Sequence, residues 1–314
     1  MAKVCALGVL SSFYYYYHYQ CTDDAEYAHK CREKAEELYI YATGHLGSAN
    51  SDSGIYKNPV YMDEMVWAMV WLYRATKKDL YKETAIVSYR KHHIGWQTYK
   101  IFGWKSKNAG VGVLLSGMVN DRLSARVKKH VKKFMNKWVN SMRRTPKGLA
   151  YAMDWGPLRA SAGTAFIGLL IADRISRTMT YRQFATQQIH YMLGDTGRSY
   201  VVGYGNNPPT RPHHRDSSCP AEGSCNWSNY GSPNPNPITL TGALVGGPDM
   251  RDYFDDERAN IHKNEVALDY NAAFQSAVAG LKHLEMEACG NILYKLEIGS
   301  GSDITNIYTI TTGQ

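Results

Sequence analysis

Residues 120–147 read NDRLSARVKKHVKKFMNKWVNSMRRTPK. Ten of them are Lys or Arg and one, Asp121, is acidic, so this run carries most of the chain's formal charge of +8. Apolar side chains recur through it at Leu123, Val127, Val131, Phe134, Trp138 and Met142. Steps of three and four residues place them along one side of a helix, with most of the lysines on the other. The spacing predicts an amphipathic helix with a solvated basic face rather than a nucleic-acid stripe, and no nucleic-acid partner is expected.

Helical spacing continues outward in both directions. YMDEMVWAMVWLYRAT, residues 61–76, is apolar nearly all round and reads as a buried helix, with Trp67 and Trp71 in the core. Thr22 and Asp23 are positioned to cap a helix running to about Gly44, with Ala28, Ala35, Leu38 and Tyr39 on one side. Further helices are predicted over 78–91, 110–119, 157–177, 181–193 and 264–287. Pro157 suits a first helical turn, and Asp79, Asp121 and Thr180 stand where caps or first-turn residues belong. Neither βαβ alternation nor a regular strand series appears, so the fold class is all-α, built of helical hairpins.

One block breaks the pattern. Residues 194–260 hold eight of the 11 prolines. A loop of that length within a domain is usually functional. The tail from about Cys289 is β-prone and rich in Gly, Ser and Thr, and a divergent, poorly ordered segment is expected over 285–314.

Composition bounds the rest. A chain of 314 residues with 44% hydrophobic and 20% charged residues has material for a core and is not disordered. Six cysteines in such a length do not make a disulfide scaffold. Cys219 and Cys225 are the exception, because they flank a short Pro/Gly loop that a bridge would rigidify. The Asn226-Trp227-Ser228 sequon follows and would accept a glycan only in a secreted protein. Residues 1–20 carry no clean signal peptide, and no stretch is apolar enough to span a membrane.

Candidate chemistry sits in two segments. YVVGYGNNPPTRPHHRDSSCP, residues 200–220, crowds two histidines and two arginines into a Gly/Pro-rich loop. Zinc chemistry at His213–His214 is disfavoured, since adjacent loop histidines seldom converge on one ion and no metal spacing lies nearby. FDDERANIHKNEVALDYNAAF, residues 254–274, runs from an acidic loop into a helix. Asn264 is a good N-cap, which would put Glu265 in the first turn of that helix, with Asp269 one turn on. From position alone, Glu265 is an ordinary first-turn acid.

The local pattern says more. Phe254, Asp256 and N-E-V-A-L-D-Y-N-A from Asn264 to Ala272 resemble one signature of glycoside hydrolase family 9, the inverting cellulases, with Ile261 where the family usually has an aromatic. Gly205, Asn207, Pro212, His213 and Arg215 resemble the other signature. YAMDWGPLRASAGTAF, residues 151–166, is similar to the family's W-G-x-L-R stretch, and residues 61–76 to its D-E-L-x-W-A-x-x-W-L-Y-x-A-T helix. The resemblance implies Glu265 as general acid, with His213 and Asp256 in the catalytic group, Asp256 as a site-shaping residue. It implies Arg215, Trp155, Arg159 and Tyr270 as substrate-binding residues. The implied partner is a β-1,4-glucan or cello-oligosaccharide, acted on outside the cell by a monomer. No cofactor or metal is expected, although some relatives hold calcium, for which Asp63 is a leftover ligand or else a helix cap.

The resemblance covers roughly residues 6 to 283, and a partial catalytic domain is expected over 1–284. It aligns to the later part of the family domain and implies an incomplete (α/α)6 barrel with a long Pro/Gly-rich active-site loop. The family activates its attacking water with the aspartates of a D-A-G-D motif, and no D-A-G-D occurs in these 314 residues. Two expectations follow: a piece of a secreted glucan hydrolase, or an inactive remnant that at most binds glucans.

Overall fold

The structure, a computed structural model, describes residues 24–47, 58, 60–94, 101–119, 121–176 and 178–299, with backbone alone for 121 and 286–299. The expected caps at Thr22 and Asp23 and the end of the tail, 300–314, lie outside the described residues.

The long helices are α1 (Ala25–Gly44), α2 (Met62–Thr76), α3 (Asp79–Lys91), α4 (Asn108–Ser116), α5 (Asp121–Asn140), α6 (Pro157–Ile171) and α7 (Met179–Leu193). Two short helices, α8 (Trp227–Gly231) and α9 (Ile261–Asn264), precede the last, α10 (Leu268–Gly299). Among the described residues there are only isolated β-bridges and no strands. No described helix is long and apolar enough to cross a membrane.

Each helix follows from its side chains. Asp24 caps α1 by accepting from the Tyr27 amide at 2.9 Å. The stripe of α5 is buried as its spacing requires, with Val127, Val131, Met135 and Trp138 at 0% exposure. Arg122, Arg126, Lys129, Lys133 and Lys137 lie exposed on its other side. The buried indole of Trp138 makes this stripe costly to disturb, about 3–5 kcal/mol for truncation to Ala. Helix α6 is rich in small residues because neighbours press on it from several sides. A Cβ on Gly163 would lie 2.5 Å from the Phe102 carbonyl oxygen, and one on Gly168 would lie 2.9 Å from Met135 Cε.

The helices pack as hairpins, α2 with α3, α4 with α5 and α6 with α7, while α10 lies against α6. One core lies between α1, α2, α3, α4 and α5, and a second between α4, α5, α6 and α7. A third joins α6, α7 and α10 to residues 200–202, 244 and 245 of the long loop. The loop is therefore seated on the core, with Tyr200, Val201, Val202, Leu244 and Val245 all buried.

The boundaries differ most from the sequence expectation in three places. The helix expected over 157–177 ends at Ile171 and continues as a single π-helical stretch, Ala172–Ser176. The helix expected to stop near Glu287 continues to Gly299. It also starts at Leu268, four residues later than expected, which moves Glu265 out of it.

Candidate active site

Glu265 occupies extended backbone, φ −57° and ψ 138°, directly after α9. The first-turn placement expected for it is thereby corrected. Its backbone and that of Val266 bridge to His213 and Val245, two loop residues distant in sequence. Those pairings compete with helical hydrogen bonds and win, because the neighbouring Asn264 is fully buried and fixed. The Asn264 side-chain amide donates to the Asp255 backbone carbonyl at 2.8 Å, and the Asn264 backbone carbonyl accepts from the His213 backbone amide at 2.7 Å. Asn264 thus closes α9 instead of capping α10.

The Glu265 carboxylate is half-buried and held from one side. Trp155 Nε1 and Tyr270 Oη both donate to Oε2, each at 2.6 Å. Trp155 stands just before α6, and its indole stacks on the His262 ring with centroids 4.9 Å apart. Tyr270 belongs to α10 and is 1% exposed. Its hydroxyl reaches Glu265 only because residue 156 is glycine. A Cβ there would lie 2.6 Å from Tyr270 Oη, and the backbone at φ +61° is itself left-handed. Arg159 lies 5.2 Å over the Tyr270 ring and pairs with Asp269 at 3.4 Å. Burial pushes the Asp269 carboxyl up, and Arg159 opposes that shift.

His213 comes from the loop. Its Nδ1 lies 2.7 Å from the Arg258 carbonyl and 2.9 Å from Tyr230 Oη. A carbonyl only accepts, so Nδ1 carries the proton and Nε2 is left with a lone pair in the neutral ring. Arg258 is 4% exposed and braces this side of the loop. Its guanidinium donates to the carbonyls of Tyr230, Ser232 and Asn234 and to Asn236 Oδ1, at 2.6–2.8 Å. Asp256 is taken up by the same loop, accepting from the Thr210 amide and hydroxyl at 2.7 Å and from the Arg211 amide at 3.1 Å. Arg215 is exposed and stacks 4.6 Å over the Trp227 ring. The Cys219–Cys225 disulfide is formed.

The structure thus brings Trp155, Tyr270 and Glu265 into direct contact and sets His213 beside them through backbone. Arg159 acts on Tyr270 and Asp269, Asp256 on the loop. Tyr230, Arg258, His262 and Gly156 escaped the sequence reading, since their partners lie far off in the chain. His262 also lines a cavity of about 350 Å3 with Tyr151, Asp154, Met250 and Lys263.

Asp63 lies in the first turn of α2 and does not cap it, because Tyr61 takes the N-cap position. Its Oδ2 accepts from the Lys107 amide at 2.7 Å, and the Lys107 ammonium lies 3.3 Å from Glu64. Calcium needs six to eight oxygen ligands. The described residues offer two carboxylates here, and the Lys107 ammonium already pairs with one of them. Among the described residues no group of three or more His, Cys, Asp or Glu side chains converges.

Comparison with known proteins gives the family. The sequence model of Glycosyl hydrolase family 9 matches residues 4–278. Endoglucanase A of Bacillus pumilus is 35% identical over 284 residues, which cover 83% of this chain and 41% of that protein. Endoglucanase B of Cellulomonas fimi is 36% identical over 278 residues, covering 82% of this chain and 26% of that one. The solved endoglucanase of the termite Nasutitermes takasagoensis superposes with a TM-score of 0.81 at 42% identity, over 90% of this chain and 64% of that one. The chain therefore spans less than half the length of these two curated relatives, while sharing the (α/α)6 fold of the solved ones. With Trp155, Tyr270 and His213 set against Glu265 and the family match covering residues 4–278, the chain belongs to glycosyl hydrolase family 9.

Proposed function

We propose that this chain carries the general-acid side of a site that hydrolyses β-1,4-glucans with inversion. The observation that supports it best is the double donation to Glu265 Oε2. An oxygen that accepts two hydrogen bonds leaves the acidic proton to Oε1. That proton passes to the glycosidic oxygen as the bond from the anomeric carbon to that oxygen breaks. Water attacks the same carbon from the opposite face and gives its proton to a base. Inversion sets that base roughly 6.5–9.5 Å from the acid. No residue of this chain is assigned the role, since D-A-G-D is absent from residues 1–314.

The remaining residues bind and orient. The Trp155 face not covered by His262 offers a surface for a glucosyl ring, His213 Nε2 accepts from a sugar hydroxyl, and Arg215 donates to one. Solved relatives from C. cellulolyticum and Clostridium thermocellum contain cellobiose and cellotriose, which supports a glucan as the ligand class. The Cys219–Cys225 bridge fits an oxidising, extracellular setting.

A second reading is glucan binding without hydrolysis by residues 1–314, in which no D-A-G-D occurs. Purified chain assayed for new reducing ends on carboxymethylcellulose and, by calorimetry, for cellohexaose binding separates the two. Hydrolysis supports the first reading, and binding alone supports the second. Neither hydrolysis nor binding would contradict both.

A further inference from the structure

Trp227 is 67% exposed, an unusual position for so large an apolar ring. The segment carrying it is nevertheless fixed from several directions. The Cys219–Cys225 disulfide ends just before it. Asn226 caps α8 through a reciprocal box with Asn229. Arg258, buried beneath, donates to the carbonyls of Tyr230 and Ser232 at the far end of the same turn.

The indole itself is braced. Arg215 covers one face at 4.6 Å, and Tyr230 meets it at 5.8 Å and 82°. Tyr230 in turn bonds to His213 Nδ1, whose backbone pairs with Asn264 and Glu265. A continuous line of contacts therefore runs from the acid through His213 and Tyr230 to an open aromatic face. A mere packing residue would be covered, and a mobile surface residue would not be held by a capping box, a disulfide and a cation.

We propose that Trp227 is a sugar-stacking platform that extends the glucan contact past His213, taking a neutral β-1,4-linked glucosyl ring on its open face. The inference rests on the glucan reading of the site. Pyranose C–H faces pack on indole, and the Arg215 guanidinium on the opposite face holds the ring in place for such a contact. A ligand too short to reach Trp227 gains nothing from it, so the effect grows with chain length.

The test compares the full chain with Trp227→Ala and Trp227→Phe, titrated with cellobiose and cellohexaose by calorimetry. Trp227→Ala is expected to weaken cellohexaose about fivefold. Cellobiose affinity and melting temperature stay unchanged, and Trp227→Phe recovers part of the loss. Equal cellohexaose affinity in the Ala variant and the parent would overturn the platform while leaving the glucan reading intact. Equal losses for both ligands would overturn it too, by pointing to a general disturbance of the loop. A parent chain that binds neither sugar would overturn both.

Discussion

Two acidic pairs stand near helix starts in this protein and have opposite fates. Asp63 and Glu64, at the head of α2, are 1% and 3% exposed and closed off by Lys107. Glu265 and Asp269 flank the start of α10, half-buried, with Trp155, Tyr270 and Arg159 around them. The Lys107 ammonium pairs with Glu64 and its amide holds Asp63, which locks the 103–108 turn onto α2. Neutral donors hold one oxygen of Glu265 and leave the other for chemistry. The difference teaches that an acidic pair becomes a candidate site through what surrounds it, not through its spacing.

Removing Lys107 breaks the closed pair most sharply. At pH 8, where Glu64 is ionised, Lys107→Met is expected to destabilise the fold by about 3–5 kcal/mol, the usual cost of leaving a buried charge without its partner. Urea unfolding measures this, and cellohexaose affinity well below the melting point is expected to stay at the parent value.

The closed pair also predicts a pH dependence. Burial pushes the Glu64 carboxyl up from 4.5 to about 7, with Lys107 opposing. The native chain then holds a proton that the unfolded chain has released. Stability from this group is full below about 4.5 and falls as pH rises toward 7, by on the order of 3 kcal/mol. Unfolding free energies of the parent and Glu64→Gln, measured across that window, should converge in slope only if another group is responsible.

The open pair responds in activity instead. Tyr270→Phe deletes one of two donors to Glu265 and leaves the other. Hydrolysis is expected to fall about tenfold, the loss of one hydrogen bond to the carboxylate that forms as Glu265 gives up its proton. The melting temperature should move little, since the ring remains packed.

How much of this was legible in the sequence follows from distance along the chain. Helix α5 was readable because Leu123 to Trp138 repeat at short spacing, and burial needed nothing more. The start of α10 was not, because Glu265 and Val266 pair with His213 and Val245, which no local pattern reveals. Glu265, His213 and Trp155 were found only through motifs. Gly156 shows the limit: its position in W-G-P-L-R looked like an ordinary turn, yet its missing side chain admits the Tyr270 hydroxyl. Arg258 was equally silent, since its four acceptors lie 22–28 residues upstream.

The central claim is that Glu265 donates the proton, and Glu265→Gln tests it most directly. Gln keeps the size and the acceptor for Trp155 and Tyr270 but has no acidic proton. Hydrolysis of cellohexaose is expected to drop about 10²–10⁴-fold while its binding stays within about twofold of the parent. Hydrolysis at the parent rate in Glu265→Gln would contradict the account.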